Sequence, residues 1–224
     1  MKVVPASDSS LLVVLGDVMS LDNHERVMSL FRALQRVNDP RIRNLHPAYA
    51  SILIDFDPLR LSHEEATSLI ENLAGEEPSQ CGRAANTVTI PVCYDVEFAP
   101  DLQEVANHAK IPAREVIWLH SSATYHVHFL GFTPGFAYLG GLPETLHAPR
   151  LATPRKHVPA GSVAIAGTQA GIYPVDSPGG WRLIGRTPVR IFDPDATQPT
   201  LLKPGDLVEF REIDRATFDA TVNR

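Results

Sequence analysis

Five cations stand between residues 131 and 188, namely Arg150, Arg155, Lys156, Arg182 and Arg186, against two carboxylates, Glu144 and Asp176. That stretch therefore carries +3 in a chain whose formal net charge is −6, which leaves −9 on the rest. A guanidinium offers paired N–H donors that match a carboxylate or phosphate, so the chemistry that this clustering points to is the holding of an anion. "PRLATPRKHVPAGS" puts two Pro-Arg pairs five residues apart on what reads as a stiff connection, which makes Arg150 and Arg155, with Arg186 further on, the candidates. Taken singly, each arginine can equally be read as one half of a surface ion pair.

The same stretch contains ten of the fourteen glycines and eight of the nineteen prolines. Glycine admits positive φ and close approach of a ligand or a second backbone, and proline stiffens what glycine frees. A dense mixture of the two describes rigid loops held in unusual shapes, which suits binding. "GFTPGFAYLGG", starting at residue 131, is the most concentrated case, and it is read as a cradle walled by Phe132, Phe136 and Tyr138 around Pro134 and Gly135. In "SPGGWRL", Trp181 reads as core or pocket wall, and Gly179 and Gly180 let the backbone pass close to what it covers.

Other chemistries are less well supported. Ser162 in "PAGSVA" follows its glycine directly and does not make the G-x-S-x-G elbow of serine hydrolases. His126 and His128 alternate on a strand and so share a face, a spacing that metal sites use. Tyr125, Val127 and Phe129 supply the apolar alternate face, so the two histidines also fit a solvated strand face, and no metal is expected in this chain. His120 falls at the end of a helix, where the dipole favours a cation; it reads either as that cap or as a polar group aimed at the cradle. Neither G-x-x-x-x-G-K-[ST] nor G-x-G-x-x-G occurs, so a phosphate-cradling loop of either standard kind is missing.

The acidic balance argues against nucleic acid as a partner, which needs a basic face. Cys81 and Cys93 alone form neither a zinc motif nor a disulfide framework, which fits a reducing compartment. The apolar run near the N-terminus is too short for a secretory signal, and no run approaches the ~20 residues that span a bilayer, so the expected location is the cytoplasm, away from membranes.

The elements that must position these residues can be read from periodicity. Residues 11–15 form a strand, and Ser20 caps a helix buried through Val27, Leu30, Phe31, Leu34 and Val37. "YASILIDF" is a second strand, and Ser62 with Glu65 makes a capping box for a second helix, giving the order strand, helix, strand, helix. "GEEPSQCGRAAN" is polar and aperiodic, and a domain boundary is drawn there, at 82–83, within a chain of 224 residues that is long enough for two domains. Beyond it come the strand "TVTIPVCYD", a helix with an Asp101/Glu104 capping box, a helix from Pro112 to about His120, and then short strands to the end, with "LLKPGDLVEF" a turn and a closing strand.

"HFLGFTPGFAYLGGLPETLHAPR", "PRKHVPAGSVAIAGTQAGIYPVDSPGGWRLIGRTP", "LLKPGDLVEF" and "WLHSSATY" together resemble the signature of the allophanate hydrolase subunit 1 and Kip-inhibitor family, and most of all its 5-oxoprolinase branch. The resemblance runs in order from about Thr87 to the C-terminus, and is weaker before it. It implies an α+β protein: a small α/β N-terminal domain over 1–82, then a cyclophilin-like β-barrel domain over 83–224. It implies a subunit that is active only in complex, docked directly on a companion cyclophilin-like C subunit and joined by a barrel-type A subunit in the full assembly, opening the lactam of 5-oxoproline to glutamate at the expense of ATP. The ATP site then lies in a non-standard place or in the partner. Under this reading Arg150, Arg155 and Arg186 hold the carboxylate of a small anionic lactam or amide, Gln169, Tyr173 and Ser177 offer it neutral hydrogen bonds, and His120 and Arg155 are the candidates for catalysis. Regulation of a sensor histidine kinase, and a half-subunit of a urea or allophanate-type carboxyltransferase, are the alternatives within the family.

Overall fold

The computed structural model describes residues 1–75 and 86–222. Contacts divide the chain into two units, Met1–Ala84 and Ala85–Arg224. The boundary drawn at 82–83, and Cys81 with it, lies outside the described residues.

The first unit is a four-stranded antiparallel sheet with two helices: β1 (Lys2–Ser7), β2 (Ser10–Val14), α1 (Leu21–Val37), β3 (Ile42–Pro47), β4 (Ser51–Phe56) and α2 (His63–Gly75). Local chemistry sets the helix ends. The Asn23 amide donates to Ser20 Oγ at 3.2 Å, and Asn38 closes α1 in the left-handed region at φ 48°. The Ser62 amide donates to Glu65 Oε2 at 2.8 Å while the Glu65 amide donates to Ser62 Oγ at 3.2 Å, the reciprocal capping box expected for α2. Leu11, Val13, Ile52, Ile54 and Phe56 from the central strands meet Val27, Leu30, Leu34 and Ile70 from the helices.

The order is strand, strand, helix, strand, strand, helix, which corrects the simpler alternation. The sheet order β1-β2-β4-β3 shows why: the two unforeseen strands are its edges. Neither β1 nor β3 has a fully buried residue, so neither shows the apolar alternation by which a half-buried strand is found.

The second unit runs β5 (Thr87–Val92), α3 (Leu102–Ala109), α4 (Ala113–Ser122), β6 (Thr124–Leu130), β7 (Ala137–Gly140), a 3-10 turn at Glu144–Leu146, β8 (Arg155–Val158), β9 (Ser162–Ala166), β10 (Gln169–Ile172), β11 (Ser177–Gly179), β12 (Arg182–Arg186), β13 (Leu207–Glu212) and α5 (Arg215–Val222). Seven strands follow the order β12-β9-β10-β7-β6-β13-β5, while β8 and β11 pair separately. Cys93, just past β5, exchanges both backbone hydrogen bonds with Arg186 in β12, at 2.8 and 2.9 Å, so the outermost strands meet and the sheet closes into a near-complete barrel. β13 is more than a closing strand: it lies between β6 and β5, antiparallel to one and parallel to the other.

Side chains alternate between two cores. Val163, Ile165, Leu139, Val127, Ile184 and Phe210 join Val105 and Val116 of the helices in the main core. Ala164, Ala166 and Leu183, on the opposite face of the same strands, pack with Phe136, Val158, Tyr173 and Trp181 in a second, smaller core.

Two expectations are corrected here. Asp101 precedes α3 as foreseen but makes no side-chain capping bond, because its carboxylate is turned to distant partners described below. Helical structure also does not stop after α4: α5 ends the described chain, started by the Thr217 amide donating to Asp214 Oδ1 at 2.8 Å. Phe218 is its one buried residue, so α5 has no apolar stripe for periodicity to detect. No helix among the described residues is long and apolar enough to cross a membrane.

Candidate functional site

The stretch from Gly131 is the connection from β6 to β7, folded back on itself by three backbone hydrogen bonds: Gly131 to the Phe136 carbonyl (3.0 Å), Thr133 to that of Gly131 (2.8 Å) and Phe136 to that of Thr133 (3.0 Å). Gly135 takes φ 82°, and a Cβ there would stand 2.8 Å from Cβ of Phe192, so both its backbone and its surroundings require glycine. Phe132 lies in the same left-handed region at φ 66° without that licence, and is 60% exposed. A bulky residue held there costs about 1–3 kcal/mol, the kind of strain that collects at functional loops.

Of the three expected cradle aromatics, Phe136 turns inward, Tyr138 is half-buried and Phe132 is exposed. Phe136 stands edge-on to Phe132, Tyr138, Tyr173 and Trp181, with ring centroids 5.5, 5.0, 5.2 and 5.4 Å away. Phe136, Tyr173 and Trp181 are buried and form the smaller core rather than the wall of an open pocket. What reaches the surface is Phe132, part of Tyr138, and Arg150, whose guanidinium lies 5.9 Å from the Trp181 ring centroid. Burial raises the phenol pKa of both Tyr138 and Tyr173, against the opposing pull of Arg150, so both stay protonated and can donate a hydrogen bond but not act as bases near neutral pH. Gly179 passes over the Tyr173 hydroxyl, where a Cβ would come within 2.2 Å, whereas a Cβ on Gly180 would meet Pro154 at an ordinary 3.5 Å, and the Gly180 carbonyl accepts the Leu151 amide at 2.8 Å.

Arg155 is committed elsewhere. Its Nη2 donates to Asp101 Oδ1 at 2.6 Å, and Asp101 Oδ2 accepts the Leu183 amide at 2.7 Å, so one buried carboxylate ties β8 to β12 at the head of α3. This is the reason Asp101 does not cap its own helix. Arg155 Nη1, with Ser177 Oγ and Thr133 Oγ1, is buried and finds no hydrogen-bond partner among the described residues. Arg155 thus has Nη2 already on a carboxylate and Nη1 shielded from solvent. Gln169 opens β10 opposite Ala166. Arg182 pairs with Glu104 and donates to the Pro149 carbonyl.

The histidines are not brought to the loop. His120 is fully buried, stacked on Phe210 at 4.5 Å, its Nδ1 sharing a 2.8 Å hydrogen bond with the Tyr94 hydroxyl. Burial pushes its imidazole down to about 3, so it is neutral, and the cationic helix cap expected at this position is corrected by desolvation. His128 is buried against Gly140 and pushed down to about 4, by burial first and by neighbouring His126 second. A bulge in β6 between Val127 and Phe129 breaks the simple alternation that would set the two histidines side by side. Among the described residues, no three His, Cys, Asp or Glu side chains are grouped so as to hold a metal.

Sequence reasoning missed one opening of this unit. A cleft of about 580 Å³ lies among residues 160–161, 174–176 and 186–192 and the α5 side chains Phe218 and Val222. Of the expected site residues only Arg186 lines it, and Phe192, against which Gly135 packs, joins it to the Phe132 loop. The prolines at 174, 188 and 194 were its trace in the sequence, but their convergence depends on strands far apart in the chain.

A nucleotide triphosphate does not fit the described helix N-termini. Each already holds a carboxylate: Asp22 in α1, Glu64 and Glu65 in α2, Glu104 in α3, Glu115 in α4, and Asp214 at the start of α5. These repel the phosphates that a bare N-terminus would attract.

The family model for the carboxyltransferase domain, subdomains C and D, matches residues 1–202. The chain is 42% identical over 205 residues to the 5-oxoprolinase B subunit of Escherichia coli O157:H7, covering 91% of this chain and 92% of that one. It is 36% identical over 223 residues to the 5-oxoprolinase B subunit of Bacillus subtilis (strain 168), covering 95% and 93%. The solved structure of TTHA0988 superposes with a TM-score of 0.82 at 39% identity over 92% of this chain; this chain spans only 40% of that one. Likeness to the urea amidolyase of Saccharomyces cerevisiae is more distant, 23% over 248 residues and 13% of that protein.

Proposed function

The chain belongs to the carboxyltransferase-domain family of subdomains C and D, and on that footing we propose that it is the B subunit of an ATP-dependent 5-oxoprolinase, which opens the lactam of 5-oxoproline to glutamate. The observation that carries this reading is the match to named B subunits across more than nine-tenths of both chains. Carboxyltransferase work of the urea amidolyase kind is the weaker alternative, at barely half that identity.

The reaction breaks the ring C–N bond, with water supplying hydroxyl to the carbonyl carbon and a proton to the nitrogen. In this assignment the chain binds and orients rather than moving protons. Tyr138 and Tyr173 are held protonated, His120 is buried and neutral, and Arg155 is paired with Asp101, so none of them is a general base facing a substrate. Phe132, Tyr138 and Arg150 form the outward face of the loop; Phe136, Tyr173, Trp181, Gly179 and Gly180 support it from below. The companion C subunit docks directly and the A subunit completes the assembly, which works in the cytoplasm. ATP supplies the free energy that makes lactam opening go forward, and its site is assigned to a companion subunit, because this chain has neither standard phosphate loop and an acidic residue stands at the start of each described helix.

The test is reconstitution. The chain co-expressed with the products of its neighbouring genes is expected to co-purify with them and to release glutamate from 5-oxoproline only when ATP is present. Glutamate release by the chain alone, or none from the full set, would overturn the assignment.

A further inference from the structure

We infer that the cleft at Arg186 is where the carboxylate of the substrate is read, the guanidinium gripping the anion and the surrounding proline and phenylalanine side chains receiving the ring. This rests on the 5-oxoprolinase reading and adds to it a place and a residue.

Four observations carry it. First, Arg186 is held without being neutralised. Its Nε donates to the Ala160 carbonyl at 2.9 Å and its guanidinium lies 5.9 Å from the Phe98 ring centroid, yet no carboxylate among the described residues stands within ion-pair reach. Anchored through Nε, it leaves the paired Nη donors for a ligand, the preorganised fork that suits a carboxylate.

Second, the other charged side chains lining the cleft are held in contacts of their own. Asp176 accepts the Ala160 amide at 2.7 Å and lies 3.2 Å from His157 Nε2, and Arg190 pairs with Asp193 at 3.1 Å. Of the two guanidinium groups lining the cleft, Arg190 is thus paired with a carboxylate and, among the described residues, Arg186 is not. Arg215, which lies 4.7 Å from the centroid of the same Phe98 ring, is by contrast paired with both Glu97 and Asp219.

Third, much of the rest of the wall is apolar and built from prolines and aromatic rings. Pro174, Pro188, Ile191, Phe192 and Phe218 line a space of about 580 Å³, within the range of small-molecule sites. Apolar walls beside an anchored guanidinium fit a compact ring that bears one carboxylate. Fourth, Gly135 packs on Phe192, so the strained Phe132 loop borders this cleft and its position is coupled to the cleft wall.

The experiment uses the reconstituted complex at saturating ATP, with 5-oxoproline and its neutral carboxamide as paired substrates. Arg186→Gln is expected to raise KM for 5-oxoproline about tenfold to a hundredfold, the effect of losing charge-assisted hydrogen bonds, and to abolish the preference for the acid over the carboxamide. KM for ATP should not change. Arg186→Lys keeps the charge and loses the fork, and should fall between. Pro188→Trp leaves Arg186 intact and fills the cleft, so it should raise KM for both substrates and serves if either arginine variant fails to assemble. A wild-type complex that turns over while these variants keep wild-type KM and selectivity would overturn the cleft assignment alone. A wild-type complex that releases no glutamate would overturn the function beneath it.

Discussion

The smaller core around Trp181 and the cleft at Arg186 draw on the same ingredients, aromatic rings, glycines, prolines and arginines, and use them in opposite ways. Around Trp181 the rings are buried edge to face, and in the same region the guanidinium of Arg155 is neutralised by Asp101. At the cleft the rings stand around open space, and Arg186 is fixed by a carbonyl and a ring rather than by an acid. The difference shows what separates a scaffold arginine from a recognition arginine. Both are immobilised, but only the second keeps its charge for something else. Pairing with a buried carboxylate ties elements together at the cost of that availability.

Substitutions should separate the two regions by their readout. The largest effect is expected from Trp181→Ala, which removes the ring on which Phe136 and Tyr138 pack and should cost about 3–5 kcal/mol in a denaturant melt. A loss below about 1 kcal/mol would mean that the cluster is not a core, and would return its rings to the role of pocket wall. A smaller effect is expected from Arg155→Lys. The Asp101 contact loses geometry but not charge, and part of the side chain is exposed, so about 1 kcal/mol of stability should go while substrate dependence in the complex stays unchanged. A tenfold rise in KM with an intact complex would contradict this and place Arg155 at the substrate.

How far the sequence could be read follows the same division between local and distant causes. Ser20 and the Ser62/Glu65 box were legible because their partners lie within three residues. Asp101 carries the same pattern and was misread, since its partners, Arg155 and the Leu183 amide, lie 54 and 82 residues away. The edge strands β1 and β3 and the helix α5 left no apolar pattern, as each is mostly exposed. The glycine density coincides with left-handed backbone at Gly135, Gly141, Gly161 and Gly167, and the match to 5-oxoprolinase B subunits bears out the family recognised from the motifs. Which rings turned inward and which loops stood open depended on strand register: alternation along β9 sends Ala164 to one core and Ile165 to the other, and no local signal fixes which face the Phe132 loop will cover.

The most direct test of the contrast needs no substitution. The assembled complex, with and without 5-oxoproline, is treated with an arginine-specific dicarbonyl reagent and the modified sites are read by mass spectrometry. If the carboxylate is read in the cleft, 5-oxoproline should protect Arg186 severalfold and leave the rates at Arg150 and Arg155 as they were. Protection of Arg150 or Arg155 with Arg186 unaffected would contradict it, and would put the substrate on the aromatic face instead.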